Sequence, residues 1–342
     1  MAEIRRSLDN IFAAKRERAL IDAERRKKEA YAKIPRLAEL DAEITLAGIR
    51  FARRLLSQNN PDDGYTLDER ISFLNAQKEA LLKTHGLPVN FMEPVFSCPA
   101  CEDRGYIAKS SGESVPCSCY QKLYLEQLYA YSNILDDGQT GFEFFDETFF
   151  SDKLNAKRYQ VEISPREQIL GIKHQCEKFV ENFPDKETPN FYFFGSIGTG
   201  KTFMAKSIGL ELVKRGYSVL YLSAPSLFST IQQYRISSDK DVAENEQAYK
   251  NLITVNLLIL DDLGTEPKSD ARYAEFLTLL EMRKGQSRNH TAKTIISSNF
   301  DLKRLFQEYN ERIASRIVGE FQAFQFIGDD IRLIKRHQQQ WL

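Results

Sequence analysis

The sequence lacks any long apolar run. Nowhere among its 342 residues does a stretch approach the roughly 18 consecutive apolar residues of a membrane span, which argues against a membrane protein. The first thirty residues hold no continuous apolar stretch either, so no secretory leader is expected and the expected compartment is the cytoplasm. Net charge is almost nil: 47 Lys and Arg against 48 Asp and Glu leave −1, which gives no global argument for nucleic acid. Repeats of fixed period and low-complexity tracts are absent, so a solenoid is not expected. Cysteine is sparse, with five residues, and in a cytosolic chain these read as thiols or metal ligands rather than disulfides.

What is present is an ordinary globular composition, 42% hydrophobic and 28% charged, in a length that suggests two or three domains. Residues 1–36 carry eleven Lys and Arg against six Asp and Glu, a local excess that also suits a solvated helix face. Residues 1 to about 33 read as a charged helix in which Ile4, Leu8, Ile11 and Phe12 recur at helical spacing before the stripe thins. Pro35 interrupts, and a second helix is expected over Leu37 to Leu56. A loop follows at Asn59–Gly64. A third helix starts at Thr66, where Glu69 completes a capping-box pattern, and ends at Gly86 and Pro88. A further helix is expected over Tyr120 to Tyr131, with a break near residues 136–141.

From about residue 160 the pattern changes. Short apolar runs at Phe191–Phe194, Val219–Leu222, Leu257–Leu260 and Thr294–Ile296 alternate with helical stretches. Such alternation predicts βαβ units on a parallel sheet flanked by helices. Directly after the first run comes Gly195-Ser196-Ile197-Gly198-Thr199-Gly200-Lys201-Thr202, which fits the phosphate-binding P-loop at every fixed position. Glycines let backbone N–H groups turn toward phosphate oxygens, and the following helix N-terminus adds partial positive charge. Lys201 is expected to reach the β- and γ-phosphates of ATP, and Thr202 to coordinate Mg²⁺.

The third run ends in Asp261-Asp262. Asp261 is placed to hold Mg²⁺ through its water shell, and Asp262 to orient or deprotonate the attacking water. The fourth run ends in Ser297-Ser298-Asn299, where a side-chain amide can contact the γ-phosphate or that water. Asn299 is the first choice and Ser298 the second, with capping of the next helix as the structural alternative. Arg312 and Arg316 sit four apart and share a helix face. Arg316 is the better candidate to reach a neighbouring subunit's γ-phosphate, with surface pairing to Glu311 or Glu320 as the alternative. Arg332, after a short apolar run and Gly328, could touch phosphates in its own subunit.

Cys98-Pro-Ala-Cys101 and Cys117-Ser-Cys119 place four thiols in 22 residues. Pairs at short spacing around a loop suit a tetrahedral Zn²⁺, and four protein ligands leave no open catalytic position. Reduced, non-ligating thiols are the alternative. His85 is a possible substitute ligand but reads better as a helix end, and Cys176 as a core residue.

The ordered set GSIGTGKT, LLILDDLGTE, TIISSN, ERIASRIVGEF and GDDIR resembles the AAA+ ATPases. More closely it resembles the DnaC/DnaI bacterial helicase loaders, with the IstB transposition helpers as near relatives. These motifs span residues 190–332, under half the chain. The resemblance implies an AAA+ ATPase domain over residues 161–342, preceded by a helical partner-binding region over 1–90 and a zinc module with linker helix over 91–160. It assigns Arg316 the arginine-finger role and Arg332 the second-sensor role. It further implies self-assembly through the ATP sites, binding of single-stranded DNA, and a replicative helicase as partner. Tyr234 and Arg235 could supply stacking and phosphate contact to that DNA, or belong to an ordinary amphipathic helix. Many AAA+ enzymes carry Asp-Glu where this chain has Asp261-Asp262, which argues for slow hydrolysis used as a switch. A zinc-bearing N-terminal region resembles the DnaI-like loaders, whereas IstB-type helpers generally lack one. A transposition helper, or a nucleotide-binding adaptor without turnover, are the alternatives.

Overall fold

The computed structural model describes residues 2–56, 66–109, 112–134, 138–185, 187–236, 241–267, 269–286 and 291–339. The loop expected at residues 59–64 lies outside them, as does part of the break near 136–141. By internal contacts the chain forms two compact units, residues 5–122 and residues 123–342 with residues 1–4.

The smaller unit is built on α1 (Ala2–Lys33), α2 (Pro35–Leu56) and α3 (Leu67–Thr84). The apolar stripe of α1 does not thin after Phe12. It continues through buried Ala19, Ala23 and Ala30, spaced four and seven residues apart. Alanine carries the stripe because a methyl group lets a neighbouring backbone approach closely, so a scan for large apolar residues passes over it. Proline opens α2, where its fixed φ suits the first helical turn. Thr66 caps α3: its hydroxyl accepts from the Glu69 amide at 3.3 Å, and its own amide donates to the Glu69 carboxylate at 2.9 Å. His85 is the C-cap of α3, followed by Gly86 at φ +70°. Ala30, Ile34, Leu37, Leu82 and Met92 form the core of this helical part. A two-stranded antiparallel hairpin follows, β1 (Tyr106–Ala108) with β2 (Ser114–Pro116), and α4 (Ser118–Ser132) begins directly after it.

The larger unit begins within α4 and continues through two short 3-10 turns, Phe142–Phe144 and Glu147–Phe149. Then come α5 (Ala156–Tyr159), α6 (Pro165–Glu181), β3 (Asn190–Gly195), α7 (Lys201–Lys214), β4 (Val219–Ser223), α8 (Ala224–Ile236) and α9 (Val242–Thr254). They are followed by β5 (Leu257–Leu263), α10 (Asp270–Gln286), β6 (Lys293–Ser298), α11 (Leu302–Glu308), α12 (Glu311–Glu320), β7 (Phe321–Phe326) and α13 (Ile331–Gln339). The five strands β3 to β7 form one parallel sheet in the order β4-β5-β6-β3-β7. Successive side chains on a strand point to opposite faces. Phe191 and Phe193 accordingly join one core with Ile169, Cys176 and Ile208, while Tyr192 joins the other with Leu227, Phe276 and Ile317. Helices on both faces explain why these strands read as continuous apolar runs. The larger unit thus holds an α/β core of one parallel sheet flanked by helices, and the smaller unit holds the helical region and the small cysteine module. Only β7 escapes a reading of apolar runs, because Gln322 and Gln325 interrupt it at the sheet edge.

One buried charge holds the far side of this sheet. Arg283, 1% exposed, donates to the carbonyls of Leu252 at 2.8 Å, Val255 at 3.2 Å and Lys293 at 2.6 Å, and to Thr294 Oγ1 at 3.0 Å. Burial draws its pKa down to about 9. The guanidinium fork satisfies the carbonyls at the end of α9 and the entry to β6 together, which a lysine cannot do. Arg283→Leu is predicted to leave these acceptors unmet, each costing about 1–3 kcal/mol. Urea unfolding should show a loss of at least about 3 kcal/mol, and a wild-type midpoint would contradict the assignment.

Candidate functional site

Parallel sheets offer ligand sites beyond the C-terminal ends of their strands, and the sequence motifs converge there. β3 ends at Gly195, β5 carries Asp261, and Asn299 directly follows β6. The first and third of the loop's small residues are glycine for a steric reason. A Cβ on Gly195 would lie 2.1 Å from the Phe326 carbonyl oxygen, and one on Gly198 1.9 Å from Asp330 Oδ1. The phosphate loop therefore packs backbone-to-backbone on the end of β7 and on the turn leading into α13. The Ile331 amide donates to the Gly198 carbonyl at 3.0 Å, which docks α13 onto the loop.

Lys201 opens α7 and is 6% exposed. Its ammonium donates to the carbonyls of Gly195 at 2.9 Å and Ser196 at 2.7 Å, and to Asn299 Oδ1 at 3.0 Å. Burial lowers its pKa to about 8; Asp261 and Asp262 resist that shift, while Arg332 adds to it. Thr202 donates to Asp261 Oδ2 at 2.8 Å, and the Tyr221 hydroxyl donates to the same oxygen at 2.7 Å. Asp261 is 2% exposed, and its other oxygen, Oδ1, is buried with no hydrogen-bond partner among the described residues. An open carboxylate oxygen beside a threonine hydroxyl is the donor set a hard cation such as Mg²⁺ takes, so the residues present fit that ion.

Asp262 stands in the left-handed region at φ +56°. Its carbonyl accepts from the Thr265 amide at 3.2 Å and the Thr265 hydroxyl at 2.9 Å, which fixes the turn. Burial and then Asp261 raise its pKa above the ordinary carboxylate value, with Lys201 and Arg332 pulling it back. Asn299 does not cap the next helix: Asp301 does, accepting from the Arg304 amide at 2.7 Å. Ser298, fully buried, donates instead to the Leu263 carbonyl at 2.7 Å, leaving Asn299 as the residue that meets Lys201.

Lys201, Thr202, Asp262, Thr265 and Asn299 line a cavity of about 410 Å³, with Arg332 and Lys335 of α13 also on its wall. Phe144, Phe145, Phe149, Phe150 and Phe203 also line it. A cavity lined by both polar and aromatic side chains suits a nucleotide, whose phosphates are polar and whose base is flat and apolar. Sequence reading missed this aromatic wall, although its signal is visible: five phenylalanines among the nine residues 142–150. Tyr221 and Lys335 were also missed.

Arg312 and Arg316 do not line this cavity. Arg316 donates to Glu281 at 2.9 Å and lies 4.0 Å from Glu320, while Arg312 is exposed and has no ion pair among the described residues. Tyr234 stacks on Tyr249 with ring centroids 4.3 Å apart and an interplanar angle of 1°, and Arg235 pairs with Glu275 at 2.5 Å.

The second site is the cysteine cluster. The sulfurs of Cys98, Cys101, Cys117 and Cys119 all lie within 4.8 Å of one another. Cys98 and Cys117 are 3.8 Å apart, and Cys101 and Cys119 3.5 Å. Thiolates around a tetrahedral Zn²⁺ at ~2.3 Å would stand ~3.8 Å apart, so the cluster could hold that ion. The buried Asp103 carboxylate fixes the first knuckle by accepting from the amides of Ser97 and Cys98, both at 2.8 Å. The Cys119 amide lowers the Cys117 pKa to about 7 against the opposing effect of burial, whereas burial and the neighbouring thiols raise that of Cys119. Among the described residues no helix is long and apolar enough to cross a membrane.

Below pH 8 Lys201 is an ammonium in the free protein, and above it the amine must gain a proton to meet a phosphate. Nucleotide affinity should therefore be level below pH 8 and fall by up to about tenfold per pH unit above it; a flat fluorescence titration from pH 7 to 9.5 would contradict this. Elemental analysis of protein purified without added metal should find about one zinc per chain. Cys98→Ser with Cys101→Ser should lose it, and retained zinc would overturn the ligand set.

Comparison with known proteins places the larger unit. A sequence profile described as IstB-like ATP binding protein matches residues 178–338. The replicative helicase loader DnaC of Buchnera aphidicola is 27% identical over 162 residues, 47% of this chain and 61% of that protein. An insertion-sequence ATP-binding protein of Sinorhizobium fredii is 27% identical over 152 residues, 43% of this chain and 57% of that protein. The chain thus spans about three fifths of the length of these relatives. A crystal structure of DnaI aligns with 55% of this chain and 92% of its own at 25% identity, with a TM-score of 0.42. Residues 178–338 thus match the IstB-like ATP-binding profile and are similar to the corresponding part of the DnaC helicase loaders.

Proposed function

We propose that this protein is an ATP-dependent helicase loader that binds ATP with Mg²⁺, engages single-stranded DNA, and uses slow hydrolysis as a switch in delivering a replicative helicase. Residues 161–342 are the ATPase, 91–160 a zinc module with its linker helix, and 1–90 the helicase-binding region. The observation that carries the reading is the arrangement at the strand ends. A buried Lys201, Thr202 and the pre-formed Asp262 turn face one cavity, and Thr202 is hydrogen-bonded to a buried Asp261 that keeps one oxygen open. The names of the DnaC relatives and the four-cysteine cluster support the loader branch over the transposition helper that the IstB-like profile alone would suggest.

In this reading Lys201 contacts the β- and γ-phosphates and Thr202 and Asp261 hold the cation. Magnesium, when bound, neutralises charge on the phosphate oxygens. Asp262 takes the proton of the attacking water, aided by its raised pKa, and Asn299 orients that water while restraining Lys201. Arg332 steadies the phosphates within the chain. Arg316 completes the site of a neighbouring copy, for which it must leave Glu281, an exposed pair of little strength. Self-assembly through the ATP sites follows.

Asp262→Asn should keep ATP affinity and lose turnover, and hydrolysis at the wild-type rate would remove Asp262 from the chemistry. Arg316→Ala should bind ATP normally yet lose about a thousandfold in DNA-stimulated hydrolysis. Mixing it with Lys201→Ala should restore activity that neither variant shows alone. If both variants assemble and mixing restores nothing, the trans role passes to Arg312 or is abandoned. Capture of a hexameric replicative helicase by the full chain separates the loader from the transposition helper, and nucleotide bound but never hydrolysed would mark an adaptor.

A further inference from the structure

Tyr221 lies outside every motif of the nucleotide site, yet it touches the site's most buried acid. In the β4–β5 register Ser223 stands opposite Asp261 and Tyr221 opposite Ile259. Residues two apart on a strand share a face. Tyr221 is therefore a diagonal neighbour of Asp261, within reach of a side chain as long as tyrosine. Its hydroxyl donates to Asp261 Oδ2 at 2.7 Å, and Thr202 donates to that same oxygen at 2.8 Å. Both donors converge on one oxygen, while Oδ1 is buried with no partner among the described residues.

A buried carboxylate oxygen left without a donor costs about 1–3 kcal/mol or more, so such an asymmetry needs an explanation. A carboxylate serving a cation needs it: one oxygen is locked by donors so that the other keeps its lone pairs free and aimed. The two locks are not equivalent. Thr202 belongs to the phosphate loop, and its hydroxyl is also wanted by the cation. Tyr221 has no second task. Its strand is paired with β5 from Val219 to Ser223, its ring packs against the core shared with Ile259, and the Lys206 ammonium lies 4.8 Å from the ring centroid. The phenol oxygen is thus carried by the same sheet that carries Asp261, and its position does not depend on the loop.

We propose that Tyr221 is a positioning residue for the divalent cation of the nucleotide site, its hydroxyl fixing the Asp261 carboxylate so that Oδ1 alone faces the ion and its water shell. This rests on the reading of Asp261 as the cation's acid. If Tyr221 only satisfied a buried carboxylate, its loss would weaken nucleotide binding equally with and without metal.

The test uses the full chain with Tyr221→Phe, which keeps the ring and the Lys206 contact and removes one oxygen. Affinity for a fluorescent ATP analogue is measured in EDTA and then along a Mg²⁺ titration, with Mn²⁺ binding followed by electron paramagnetic resonance. Affinity in EDTA should stay within about twofold, while the Mg²⁺ concentration for half-maximal tightening rises about 10–100-fold and Mn²⁺ binding weakens in parallel. Tyr221→His, which retains a ring N–H donor, should recover part of that response and serves as the second variant if the phenylalanine one does not fold. An unchanged Mg²⁺ requirement, or an equal loss of affinity in EDTA and in Mg²⁺, overturns the proposal. Asp261→Asn separates the two levels. Wild-type Mg²⁺ dependence in that variant removes the reading of Asp261 itself. Its loss there, with Tyr221→Phe unaffected, removes only the role of Tyr221.

Discussion

The ATP-binding half depends on keeping opposite charges, Lys201 and Asp261, out of water at the end of one sheet. Each is under 10% exposed. Desolvating two charges costs several kcal/mol apiece unless each is given polar partners. The fold supplies them from different elements. Loop carbonyls and Asn299 hold the ammonium, while Thr202 and Tyr221 hold the carboxylate. None of these partners is close to its target in sequence except within the loop itself. The order of strands β5, β6 and β3 at the sheet centre brings them together, so the site and the sheet are one construction. Lys201 has partners that a phosphate can replace, and Asp261 Oδ1 has none, which is the state of a site built for an anion and a cation at once.

The smaller unit meets a different constraint. One cluster of its core is Ala30, Ile34, Leu37, Leu82 and Met92, with Leu8, Phe12, Leu40 and Leu74 also buried, and the cysteine segment adds only two three-residue strands. Short antiparallel pairs have little stability of their own. The four sulfurs and the Asp103 carboxylate gather what apolar contacts cannot. The cluster could hold a metal ion, and its first cysteine pair sits on a knuckle whose Glu102 and Asp103 both take positive φ.

Much of this was legible in the sequence for a physical reason. The P-loop demands fixed residue types because a Cβ at Gly195 or Gly198 collides with neighbouring atoms, and strands β3 to β6 read as apolar runs because helices cover both faces of the sheet. The capping box at Thr66 is local chemistry and was readable as such. What was not legible has causes as definite. The alanine stripe of α1 has no large residues to mark it. β7 is a sheet edge, and glutamines hide its pattern. Phe144, Phe145, Phe149 and Phe150 become a cavity wall only through tertiary placement. Tyr221 and Arg283 act across the sheet, at sequence distances of 40 residues to Asp261 and 31 to Leu252, which no window detects.

The second acid of the pair shows how backbone and chemistry constrain one position together. At Asp262 the chain turns through φ +56°, held there by Thr265. Aspartate and asparagine tolerate the left-handed region better than residues with longer side chains, because a short polar group can bond locally. A glutamate here would reach further toward a water but would fit the turn less well. The Asp261-Asp262 pair therefore has a conformational reason independent of any advantage in rate. A short carboxylate held on a fixed turn gives up reach in exchange for position.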